Sequence, residues 1–174
     1  MPKTQINSVL NGEYTREHCV PTSELLPLVR GALKIGDHAC VEELVAECCR
    51  VAYITKREND ALDEANLNAS IPTGWTDDLK KAYLARYSHE AVNIHLEETW
   101  PENCTPDFGG RGAEMKYARL KKWTSADAAD EIIKLWNAGL REPLIPISAI
   151  LVGYSHTNHL MSKECRLLWD AAPK

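Results

Sequence analysis

The sequence predicts a helix-rich α+β domain. Amphipathic helical patterns fill most of the chain, only a few short β-branched runs interrupt them, and one such run passes directly into a helix-capping signature. A length of 174 residues fits a single domain, so residues 1–174 are expected to share one fold. Apolar residues make up 44% and charged residues 26%, proportions that argue against a disordered or fibrous chain.

Residues 13–21 read as a short extended segment stopped by Pro21. Thr22 or Ser23 is then expected to cap a helix whose apolar face is Leu25, Leu26, Val29 and Leu33. Gly36 breaks it, and Asp37 opens a second helix with Val41, Leu44, Val45 and Cys48 on one side, making a helical hairpin over 22–50. Val51-Ala52-Tyr53-Ile54 is β-branched and aromatic, which predicts a strand. It runs straight into Thr55-Lys56-Arg57-Glu58, a capping box. The Thr55 hydroxyl accepts from the Glu58 N–H, and the Glu58 carboxylate accepts from the Thr55 N–H.

That helix is expected to last to about Leu67, before Ile71-Pro72-Thr73-Gly74 turns the chain. Asp77 and Asp78 suit the first turn of a further helix, expected to bury Leu79, Ala82 and Tyr83 and to extend to about Leu96. His89 and His95 fall on it. Residues 98–112 read as an exposed loop, followed by helices at about 113–122 and 125–139. Ile147 to Tyr154 reads as a strand, and a last helix ends near Trp169.

The net charge of −5 argues against indiscriminate nucleic-acid binding, which needs a dense basic face. A local basic track remains compatible with it. Ala113, Tyr117, Leu120 and Trp123 form one helical stripe, which turns most of Lys116, Arg119, Lys121 and Lys122 outward. With Arg111 they can follow a phosphate backbone; an ordinary solvated helix face is the alternative, and it stays open. No apolar run approaches the roughly 20 residues that cross a bilayer, and the first residues lack an apolar signal core, so a cytoplasmic location without membrane contact is expected. The six cysteines are scattered except for the adjacent Cys48 and Cys49, and no C-x-x-C pair exists. They read as reduced thiols, and no structural zinc is expected.

Glu17-His18-x-x-Pro21, the strand at 51–54, and the capped helix carrying Asn59 together resemble the HNH, or ββα-metal, endonuclease family. Ile71-Pro72-Thr73-Gly74-Trp75 and Ala85-Arg86-Tyr87 add to the resemblance, which covers residues 13–90. It implies a ββα-metal-like core over 13–70 with the helical hairpin inserted between its strands, and a helical extension over 76–174. It further implies a divalent-metal-dependent nuclease that hydrolyses phosphodiester bonds in DNA. Glu17 and the side-chain carbonyl of Asn59 would hold Mg²⁺ or another divalent cation, and His18 would accept a proton from the attacking water.

The sequence departs from that family in several places. Glu17 stands where an Asp or His is usual, the insertion at 22–50 is large, and no middle Asn is present to orient the His ring. A second reading comes from another class: a non-enzymatic regulatory protein that binds a protein partner through its helical half. His156-x-x-His159 has the spacing of two ligands on one helix face but lacks an evident third, so a capping or surface role is expected. Gly109-Gly110-Arg111-Gly112 lacks the Lys-Ser/Thr of a phosphate-binding loop.

Overall fold

The computed structural model describes residues 14–97, 123–139, 145–155 and 159–171. It is a helix-rich α+β structure with an open four-stranded sheet in the order β1-β2-β4-β3. Strand β1 is Tyr14–His18, β2 is Val51–Thr55, β3 is Leu96–Glu97 and β4 is His159–Ser162. β1 and β2 pair antiparallel, β2 and β4 parallel, and β4 and β3 antiparallel.

Helices α1 (Thr22–Ile35) and α2 (His38–Cys48) form the hairpin between β1 and β2. Neither Thr22 nor Ser23 caps α1: Pro21 is the N-cap residue, and its carbonyl accepts from the N–H groups of Glu24 and Leu25. Between the two helices Gly36 takes a left-handed φ of 74°, which costs glycine nothing. Leu25, Val29 and Leu33 of α1 meet Val41, Leu44 and Val45 of α2 in the largest core. Helix α4 (Ser125–Asn137) contributes Ala128, Ile132 and Trp136 to the same core.

β2 is buried at every position, as expected for a central strand covered on both faces. Ala52 and Ile54 pack with Leu62, Tyr87 and Leu160, whereas Val51 and Tyr53 pack with Met161, Cys165 and Tyr14. Helix α3 (Lys56–Glu64) follows β2 without a linker, and both halves of the Thr55–Glu58 capping box form. It ends three residues before the expected Leu67, because Asn66 adopts φ 57° and terminates it. Leu67 N–H then bonds the Leu62 carbonyl and Asn66 N–H bonds that of Asp63, a Schellman closure that seats Leu67 against Leu62 in one core.

Two longer stretches take a different secondary structure from the one expected. The stretch after Gly74 is not one long helix but two 3₁₀ segments, Trp75–Asp77 and Leu79–Leu84, followed by turns. Within these turns Arg86 and Tyr87 are both fully buried. Ile94 N–H folds back onto the Tyr87 carbonyl, and Asn93 takes a positive φ, so His89 lies in a bend and His95 in the irregular residues just before β3.

The expected strand at 147–154 is instead helix α5 (Ile145–Ser155). Its buried residues Ile147, Ile150, Leu151 and Tyr154 recur at helical spacing, a signal hidden by a run apolar on nearly all sides. The strand of this region is β4, which opens at His159 and feeds helix α6 (Lys163–Ala171). The second half is therefore not wholly helical, since β3 and β4 complete the sheet. Residues 98–122, with the expected loop and basic helix, and His156 lie outside the described residues.

Among the described residues no helix is long and apolar enough to cross a membrane. The described cysteines Cys19, Cys40, Cys48, Cys49 and Cys165 are all free thiols.

One carboxylate joins two strand–helix junctions. Glu58 Oε2 accepts from Thr55 N–H at 2.7 Å, from Thr55 Oγ1 at 2.9 Å and from Ser162 Oγ at 2.7 Å. Ser162 Oγ in turn accepts from Cys165 N–H in the first turn of α6. Thr55→Val should cost about 1 kcal/mol, the usual loss of an N-cap. Glu58→Ala should cost about 2 to 3 kcal/mol, because three donors lose a charged acceptor. Urea denaturation of both variants measures the difference; equal losses would show that the bond to Ser162 contributes nothing.

Candidate functional site

Directly opposite residues of an antiparallel pair share a sheet face. Glu17 lies opposite Ala52, so it belongs to the face covered by α3 and Tyr87. His18 lies opposite Val51, which assigns it with Arg16 and Tyr14 to the face packed by α6. The structure thus brings Glu17, not His18, to the side of α3. His18 is the last residue of β1, and the chain bends at Cys19 and Val20.

Helix α3 presents Asn59 and Asp63 one turn apart on one side. Asn59 Nδ2 donates to Asp63 Oδ2 at 3.5 Å, and Asn68 Nδ2 donates to Asp63 Oδ1. Asn59 Oδ1 is shielded from solvent and has no hydrogen-bond partner among the described residues. A buried amide oxygen without a donor is costly, and a cation is one species that would satisfy it. Asp63 lies close enough to Glu17 for their charges to interact. Asp63, which was not picked from the sequence, thus bonds Asn59 and interacts through charge with Glu17. Asp63 sits four residues beyond Asn59 on a capped helix, a spacing that was the available signal.

Arg86 is the other residue missed. Its side chain is 0% exposed. It donates to the carbonyls of Leu67 at 2.9 Å, Asn68 at 2.6 Å and His18 at 2.5 Å, and to the Tyr87 hydroxyl at 3.2 Å. Its Nη2 lies 3.6 Å from Glu17 Oε2. The guanidinium thus spans the end of β1 and the turn that closes α3.

The electrostatics follow from burial and these charges. Burial pushes the Glu17 carboxyl above its ordinary range, Arg86 pulls it down, and Asp63 pushes it up again. His18 is held down to about 4, first by burial and then by the positive charges of Arg16 and Arg86, so its ring is neutral at neutral pH. The Cys19 thiol is pushed up to about 12 by burial, which makes it inert as a nucleophile.

Among the described residues no three His, Cys, Asp or Glu side chains group closely enough to hold a metal ion. The candidate donor set is two carboxylates and an amide oxygen, all hard oxygen ligands of the kind Mg²⁺ and Mn²⁺ accept alongside water. Arg111, Lys116, Arg119, Lys121 and Lys122 lie outside the described residues. Compared with family models, curated proteins and solved structures, the chain matches none.

His18 makes a prediction about stability. The unfolded chain takes up a proton near pH 6.5, the folded chain only near pH 4, so between these values the unfolded state holds more protons. Stability contributed by the neutral ring is therefore present above pH 6.5 and is lost as the pH falls towards 4. Glu17, raised by burial, works in the opposite sense over the carboxylate range. In urea denaturation at about pH 7 and about pH 4.5, His18→Asn should reduce the loss on acidification by about 2 kcal/mol. An equal loss in variant and wild type would show that His18 is not the titrating group.

Proposed function

We propose that the protein is a divalent-metal-dependent nuclease that hydrolyses phosphodiester bonds, with DNA as its substrate, on a site of the ββα-metal type. The observation that carries this reading is the buried, undonated Oδ1 of Asn59 on α3, one turn from Asp63, whose charge reaches Glu17. Glu17, Asn59 and Asp63 would hold the cation. When bound, it supplies polarisation of the phosphate and charge neutralisation at the leaving oxygen.

The remaining work falls to the chain's own side chains. His18, neutral at working pH, accepts the proton of the attacking water at a ring nitrogen. β1 is an edge strand and His18 its last residue, so a substrate laid across that edge is open to side chains of both faces. Arg16 and Arg86 give this end of β1 a local positive potential inside an acidic protein, which favours a phosphodiester over a neutral substrate. The track of Arg111, Lys116, Arg119, Lys121 and Lys122 would follow the backbone beyond the cleaved bond.

A second reading, a module that binds a protein partner, is favoured by one observation. Leu167 and Leu168 of α6 are 62% and 42% exposed on consecutive positions.

Cleavage of plasmid and single-stranded DNA with Mg²⁺ or Mn²⁺, and with EDTA as control, separates the readings. His18→Ala should lower the rate by roughly 10²- to 10⁴-fold with metal binding retained. Asn59→Ala and Asp63→Asn should weaken metal binding and recover part of their activity at high Mn²⁺. Replacing Lys116, Arg119 and Lys122 by Gln should weaken substrate binding and flatten its salt dependence. A wild type that cuts nothing with either metal would end the nuclease reading, as would a His18→Ala variant as fast as wild type.

A further inference from the structure

A buried guanidinium can act as a strut when its donors reach separate chain segments, because its planar fork fixes the angles between them. Arg86 meets that condition. Its Nη1 holds the Leu67 and Asn68 carbonyls of the turn closing α3, and its Nη2 holds the His18 carbonyl that ends β1. The same Nη2 lies 3.6 Å from the Glu17 carboxylate. The two segments it joins are those that carry Glu17 and His18 on one side and Asn59 and Asp63 on the other.

A second link closes the same circuit. Asn68, whose carbonyl Arg86 grips, also donates from its side chain to Asp63. Arg86 therefore touches the candidate donor set from both ends, at Glu17 through charge and at Asp63 through Asn68. Its Nε has no partner among the described residues, so the side chain is held in place from its two terminal nitrogens alone.

We infer that Arg86 is a positioning residue that sets the separation of Glu17 from Asn59 and Asp63 and so fixes the affinity of the site for a divalent cation. This inference rests on the metal-site reading above. A full amine cannot replace the guanidinium here. Lysine keeps the charge but brings one nitrogen, which cannot hold carbonyls of two segments and a carboxylate in a fixed geometry. Losing a partner that orients metal ligands typically weakens metal binding about 10- to 100-fold.

The test is Mn²⁺ titration calorimetry on the full chain, with cooperative thermal unfolding as the check of folding. Arg86→Lys should weaken Mn²⁺ binding about 10- to 100-fold. A role confined to holding the fold would lower the melting temperature and leave the affinity of the folded fraction alone. Glu17→Gln supplies the second arm: if Arg86 acts through Glu17, adding Arg86→Lys to that variant should change Mn²⁺ affinity far less than it does in wild type. A folded Arg86→Lys variant that binds Mn²⁺ as tightly as wild type overturns the inference while the metal site stands, and so does full additivity in the double variant. A wild type that binds no Mn²⁺ overturns both.

Where Arg86→Lys does not fold, the wild type decides the matter by side-chain ¹⁵N NMR of arginine. The Arg86 Nε–H signal should shift saturably with Mg²⁺, with the midpoint that a Mg²⁺ calorimetric titration of the same protein gives. No shift at saturating Mg²⁺ overturns the inference.

Discussion

Removing a guanidinium from water costs several kcal/mol unless hydrogen bonds and a counter-charge replace its hydration. Arg86 meets that cost with three backbone carbonyls, a tyrosine hydroxyl and the Glu17 carboxylate. The rest of the candidate site is arranged by this requirement. The turn after α3 must offer the carbonyls of Leu67 and Asn68, so α3 closes at Glu64 and Asn66 takes its left-handed conformation. β1 must offer the His18 carbonyl, so the strand ends there. The segment that carries Arg86 leaves its 3₁₀ turn at Leu84 and continues as turns that place the guanidinium between those two carbonyl sets. Polar demands at one buried cation thereby shape three neighbouring segments.

A second joint lies at the other end of the parallel strands. β2 and β4 each pass without a linker into a helix, α3 on one face of the sheet and α6 on the other. Thr55 and Ser162 serve the first turns of those helices, and Glu58 bonds both hydroxyls. The capping box that ends β2 thus does more than start a helix, since it locks the register of two strands distant in sequence. Arg86 and Glu58 hold the sheet at different points, one through a buried guanidinium and the other through a half-buried carboxylate.

Where local chemistry dominates, the sequence is a sufficient guide. The α1–α2 hairpin, β2 and the start of α3 follow from apolar spacing, β-branching and a capping signature confined to four residues. The failures share a cause. The 76–96 stretch carries acidic first-turn residues that suit a helix, yet the inward demand of Arg86 and Tyr87 is tertiary and leaves no periodic trace. The 147–154 run is apolar on almost every side, so helix and strand have similar signatures there; its length and the core on which it packs decide for helix. β4 is four residues long and gains its identity only by lying beside β2. Within the site, Glu17 and Asn59 were legible as polar residues at a strand end and on a capped helix. Asp63 carried a local signal in its spacing of four from Asn59, whereas the contacts of Arg86 arise from chain segments that meet only in the folded state.

The parallel pairing of β2 with β4 also orders events during synthesis. Ser162 and Glu58, which touch in the finished fold, are separated by 104 positions. A ribosome emitting residues in order releases β1, the hairpin, β2 and α3 long before β4 is available. During that interval β2, apolar on both faces, has an unpaired backbone edge towards its missing neighbour. Non-local pairing of this kind is slow to form and exposes a nascent chain to self-association. The strand that anchors the candidate site is therefore also the segment for which a chaperone that shields apolar edges matters most.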